Sequence, residues 1–67
     1  MEVKERLARN MKRLRKERSW SQEALAHEAD LDRTYISGIE RMVRNPTMTV
    51  IDRIATALEC SMGDLLD

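Results

Sequence analysis

Residues 33–41 read Arg-Thr-Tyr-Ile-Ser-Gly-Ile-Glu-Arg. With Ile36 and Ile39 turned inward on a helix, Thr34, Ser37, Gly38 and Arg41 turn outward and Arg33 projects from the first turn. A solvated helix would favour Glu, Lys and Ala on such a face. Gly38 costs up to about 1 kcal/mol relative to Ala inside a helix, and a water-facing position gives no reason for it. Missing bulk there would let the backbone approach a second surface closely. Arg33 offers a planar fork of donors that matches paired acceptors such as O6 and N7 of guanine in a DNA major groove, although a phosphate or plain solvent would also accommodate it. Thr34 and Ser37 can hydrogen-bond to bases or phosphates, and the Thr34 methyl can meet a thymine methyl. Arg33, Thr34, Ser37 and Gly38 are therefore the candidate base readers, and their chemistry is hydrogen-bonded recognition.

The candidates for holding a phosphate backbone lie around this face. Gln22 opens the preceding helix, where its amide and the helix N-terminus could both face an anion. Arg41 ends the outward face. Arg44 and Asn45 follow in a loop, where an ordinary polar turn is an equally good reading. Tyr35 flanks the inward stripe and reads as a packing residue whose hydroxyl reaches a phosphate.

The elements that must position these residues follow from periodicity and caps. Val3, Leu7, Met11 and Leu14 mark the inner face of a helix over residues 2–17, opposite Arg6, Arg9, Lys12, Arg13 and Lys16. That basic face reads as solvated; Glu2, Glu5 and Glu17 argue against a membrane-lying helix. Ser21 caps a second helix with Leu25, Ala26 and Ala29 inside, and Asp32 caps a third running to Arg41. The short link between them forces the sharp angle of a helix-turn-helix over residues 22–41. Pro46 marks a loop, after which Thr47 or Thr49 caps a fourth helix with Met48, Ile51, Ile54, Ala55 and Leu58 inside. Ser61 and Asp64 have capping-box spacing and open a short fifth helix. No segment alternates like a strand. The fold class is all-α, five helices in a single domain over residues 1–67.

Composition narrows the function classes. The chain has 67 residues and zero formal net charge. Residues 1–18 nevertheless hold eight of the twelve basic groups and three acids, and the remainder reverses the balance. A single cysteine, Cys60, allows no internal disulfide and suggests a reducing, cytoplasmic setting, where a buried inert thiol is its simplest reading. One Cys and one His, His27, make no structural zinc site. No signal peptide, spanning segment, Ser–His–Asp set, paired carboxylates or Gly-rich phosphate loop is present, so neither an enzyme nor a cofactor or small-molecule ligand is expected.

The stretch WSQEALAHEADLDRTYISGIERMVRNPTMTVIDRIATALECSMGDLL resembles the Cro and phage-repressor type of helix-turn-helix regulators, the Xre family. The resemblance rests on Ser-Gln-Glu opening helix two, Ala26 at the tight crossing, the Tyr-Ile-Ser-x-Ile-Glu run and the Asn-Pro-Thr loop. Within the family it looks most like small regulators such as the controller proteins of restriction–modification systems. Asp30, Met42 and Glu59 stand where the family often has glycine, which leaves the loop after helix three free to differ from the family form. The resemblance implies a five-helix phage-repressor-like fold and a homodimer reading an inverted repeat of double-stranded DNA through helix three. It implies further that Trp20 is a core anchor and that Arg15 and Glu40 pair across the helices. Val50, Met62, Leu65 and Leu66 offer apolar surface beyond what one subunit needs and are the candidate dimer interface. The alternative is an interaction module of the same fold, such as an antitoxin binding its toxin. Such a module is expected to carry an extra segment, whereas the sequence stops at Asp67 after the fifth helix.

Overall fold

A computed structural model describes residues 2–67. Five helices run in order: α1 (Val3–Glu17), α2 (Gln22–Ala29), α3 (Arg33–Glu40), α4 (Met48–Ala57) and α5 (Met62–Leu66). Four begin where a side chain satisfies an orphan backbone donor. Ser21 accepts from Ala24, Asp32 from Thr34 and Thr47 from Val50, and Ser61 and Asp64 close a reciprocal capping box. Thr47, not Thr49, is thus the cap of α4.

The inner faces meet in one core containing Leu7, Met11, Leu25, Ile36, Ile39, Ile54 and Leu65, with Trp20 and Tyr35 packed at its edge. Ala26 and Ala29 supply the small surface that lets α2 cross α3 closely. Two residues expected inside lie outside: Val3 and Met48 are 52% and 63% exposed, because each falls in the first turn of its helix, beyond the reach of the core. Leu65, expected at a dimer surface, is 0% exposed and belongs to the subunit's own core. The last carbonyls of α5 are taken up by α1: Asn10 donates to Leu65 O at 3.0 Å and Arg6 donates to Leu66 O at 2.9 Å. Docking α5 on α1 uses up the apolar side that Leu65 carries.

One ion pair joins α1 to α3. Arg15 donates through Nε and Nη2 to the two Glu40 oxygens at 2.8 and 3.0 Å, with side chains 9% and 4% exposed. Its remaining arm donates to Trp20 O at 2.8 Å. No buried side-chain nitrogen or oxygen among the described residues is left without a partner. The family-based pairing is therefore present, and in fork-to-fork form.

The helix ends depart from expectation. α1 to α4 each finish with a residue in left-handed backbone, Ser19, Asp30, Met42 and Glu59, at φ between 56° and 62°. Each end closes by the same pair of bonds; in α3 these are Val43 N–H to Gly38 O and Met42 N–H to Ile39 O. This is the Schellman pattern, whose left-handed position usually belongs to glycine. The loop after α3 therefore keeps the turn that Met42 disfavours, because two hydrogen bonds and the packing beyond it require that geometry. Asp tolerates the conformation better than Met or Glu.

Two stability measurements test these features. Arg15→Ala would strand a buried carboxylate, at a cost of about 3–5 kcal/mol. Its Tm should fall by roughly 10 °C or more, while the exposed Arg9→Ala stays within about 0.5 kcal/mol of the parent. Equal losses would refute the structural role of the pair. Met42→Gly should raise Tm by relieving about 0.5–1 kcal/mol of backbone strain. Asp30→Gly should gain less, and the reverse order would contradict the strain assignment.

Candidate nucleic-acid interface

α3 presents the outward face expected of it, with one exception. Arg33, Thr34 and Arg41 are exposed and Ser37 partly so, while Ile36 and Ile39 are buried beneath them. Gly38 is buried and does not belong to the outer face. A Cβ built on it would run into Cγ of Arg44, with Arg44 Cβ a further 3.4 Å contact. The glycine therefore makes room within the chain, not for an external surface. Its carbonyl also accepts from Val43 and Arg44 at 2.9 and 3.2 Å, so the returning loop lies directly against the helix.

That loop fixes Arg44. Its guanidinium sits 5.5 Å from the centroid of the Tyr35 ring, a cation–π stack on a residue itself packed against the core. Arg44 thus has an anchored stem and an exposed charged end. Asn45, beside it, is exposed.

At the start of α3 the cap limits what Thr34 can offer. Both the Thr34 backbone N–H and its hydroxyl donate to Asp32 Oδ1, at 2.8 and 2.6 Å. The hydroxyl proton is committed, so Thr34 presents acceptor lone pairs and a methyl group outward. The Thr34 hydroxyl hydrogen bond, followed by that of its backbone, holds the Asp32 carboxyl below its usual value. A depressed carboxyl stabilises the fold above its unfolded pKa and loses that contribution as pH falls through the folded value. The cap is therefore charged at neutral pH and fails only in acid.

Gln22 lies at the N-terminus of α2, with its amide nitrogen donating to Glu40 Oε1 at 3.0 Å. One amide proton is used and the other is left for an outside acceptor. Sequence reasoning missed this bond, just as it missed Arg44 over Gly38. A Gln that opens α2 and a Glu that closes α3 were the available signal for the first. For the second, a glycine in mid-helix followed six residues later by an arginine gives none.

Among the candidate dimer residues, Val50, Met62 and Leu66 are partly buried against the core, leaving limited apolar surface. Larger exposure occurs at Val43 and Met48, 67% and 63% exposed. Cys60 is half-buried, and burial pushes its thiol up, away from thiolate chemistry. A cleft of about 680 Å³ lies elsewhere, between the ends of α1 and α2 and the side of α4. Arg18 crosses it, stacked on Trp20 at 5.1 Å and bonded to Leu58 O and Glu59. No cluster of His, Cys, Asp or Glu among the described residues could hold a metal ion, and no described helix is long and apolar enough to cross a membrane.

A family model described as helix-turn-helix matches residues 11–65. The chain is 43% identical over 60 residues to a hypothetical transcription factor of Neisseria meningitidis, covering 90% of this chain and 57% of that one. It is 55% identical over 47 residues to control protein C.BamHI of Bacillus amyloliquefaciens, covering 70% and 58%. It thus spans little more than half the length of these two curated relatives. Among solved structures, C.Esp1396I bound to a 19 base pair DNA duplex superposes with a TM-score of 0.87 at 38% identity, covering 98% of this chain and 92% of that one.

The Gly38 packing has a direct test. Gly38→Ala gains helix propensity of about 1 kcal/mol but forces Arg44 out of place, an overpacking cost of about 1–3 kcal/mol. A net loss of stability is expected, with Tyr35 ring resonances shifting as Arg44 leaves the ring. A more stable variant with unshifted Tyr35 signals would show that the site has room.

Proposed function

The chain belongs to the helix-turn-helix family matched by residues 11–65, and from that membership we propose that it is a sequence-specific DNA-binding transcription regulator. It acts by binding, not catalysis, in the cytoplasm. The observation that carries the reading is the outer face of α3: Arg33, Thr34 and Ser37 on the helix, and Arg41 at its end, lie opposite the buried Ile36 and Ile39. The DNA-bound relative at 38% identity supports the same use of the fold.

In this reading α3 enters the major groove. Arg33 takes guanine O6 and N7 with its fork. Thr34, its hydroxyl proton already given to Asp32, offers a methyl to thymine or accepts from an exocyclic amino group. Ser37 serves as a second short reader. Gln22, Arg41, Arg44 and Asn45 hold phosphates around them, and Tyr35 supports Arg44 from below. Two subunits, meeting through Val50, Met62 and Leu66, read half-sites about one helical turn (~34 Å) apart.

Binding of variants to cognate and unrelated duplexes at several salt concentrations tests these roles. Arg33→Ala should lose about 1–3 kcal/mol on the cognate site and relax preference at one base pair. Arg44→Ala should weaken all sequences alike and reduce the salt slope by about one. If Arg33→Ala weakens every sequence equally and keeps its preferences, Arg33 clamps phosphate and reading falls to Thr34 and Ser37. If the parent chain selects no sequence from a random duplex pool, the regulator reading fails and an interaction module takes its place.

A further inference from the structure

Apart from the half-buried Lys4, the basic groups of residues 1–18 divide into two sets. Arg6, Arg13, Arg15 and Arg18 are engaged within the chain, with Leu66 O, Glu17, Glu40 and Glu59 respectively. Arg9, Lys12 and Lys16 are exposed and have no hydrogen bond or ion pair to any described residue. Their spacing of three and four places them in one stripe along α1. Like charges so placed repel one another, and no carboxylate among the described residues forms an ion pair with them.

The stripe has a definite neighbour. Arg9 and Lys12 line a groove of about 360 Å³ together with Glu5, Ala8, Glu40 and Met42. Glu40 on its far wall is the carboxylate that holds the Gln22 amide at 3.0 Å. Through Glu40, the groove beside Arg9 and Lys12 thus connects to Gln22, the phosphate candidate that opens α2. From Arg9 to Lys16 the helix advances roughly 10 Å, and one DNA strand carries a phosphate about every 3.4 Å along the axis. Three cations over that length match about three phosphates.

We propose that Arg9, Lys12 and Lys16 form a second phosphate-binding surface, which grips the DNA backbone flanking the half-site read by α3. The inference rests on the DNA-binding reading above and extends the contact from Gln22 along α1. The stripe carries no base information. It adds affinity on any sequence, provided that the duplex is long enough to reach it.

The probe is a duplex selected from a random pool, in one form extended by about one helical turn (~10 base pairs) on each side and in another trimmed to the selected site. Lys12→Ala/Lys16→Ala should flatten the dependence of log K on log salt by about 0.9 for each lost contact, about two in all, on the extended duplex. On the trimmed duplex the difference from the parent should vanish, and base preferences should be unchanged on both. Arg53→Ala, which removes an exposed arginine beside the large cleft, controls for net charge and should leave the slope near that of the parent. A double variant with the parental slope on the extended duplex overturns the proposal. So does flattening that is equal on both duplexes or matched by Arg53→Ala. If the parent binds and Arg33→Ala relaxes its preference while the double variant is unaffected, only the stripe is lost. If the parent binds no duplex at all, the DNA-binding reading fails and the stripe with it.

Discussion

The buried pair between Arg15 and Glu40 is the contact on which the arrangement of the interface depends. An isolated carboxylate at 4% exposure would be untenable, so Glu40 must receive its donors. Three arrive from two helices: two from the Arg15 fork on α1 and one from the Gln22 amide on α2. Arg15 in turn bonds Trp20 O in the link between those helices. A shift of α3 relative to α1 would break several charge-assisted bonds at once. The register of the outward helix is thus set from within, by electrostatics in a dry environment, and the same carboxylate orients the side chain at the entrance of α2.

Much of this was legible in the sequence, for identifiable reasons. Apolar spacing and capping residues are local signals, and they located all five helices, the caps Ser21, Asp32 and Ser61, and the outward set Arg33, Thr34, Ser37 and Arg41. The Arg15–Glu40 pairing came from family resemblance, since no local rule joins residues 25 apart. Failures came where the decisive contact was tertiary. Gly38 looked outward on a helical wheel, yet a loop returning at Arg44 covers it. Leu65 looked surplus on a five-residue helix, yet that helix docks on α1 and spends its leucine in the core. Val3 and Met48 matched the inward period but fell in the first turn of their helices, where they stay mostly exposed.

Gly38 changes meaning accordingly. A residue without a side chain still signals close approach, but the approaching partner is the chain itself. Because the Arg44 stem occupies the space above the helix, and the Tyr35 ring supports its charged end, α3 and the loop behind it form one rigid unit. Side chains held this way lose little rotamer freedom when they meet a ligand, which reduces the entropic cost of association.

The four left-handed helix ends bear on how the molecule assembles and opens. Ser, Asp, Met and Glu seldom visit that backbone region in a disordered chain. The closing turns therefore gain little from chance sampling and lock only once the helices they terminate have packed. They should therefore form late in folding and, on the reverse path, release early. Fluctuations should accordingly begin at the connections while the centre stays intact, so the most protected amides are those of the helix interiors that bury Met11, Leu25 and Ile36.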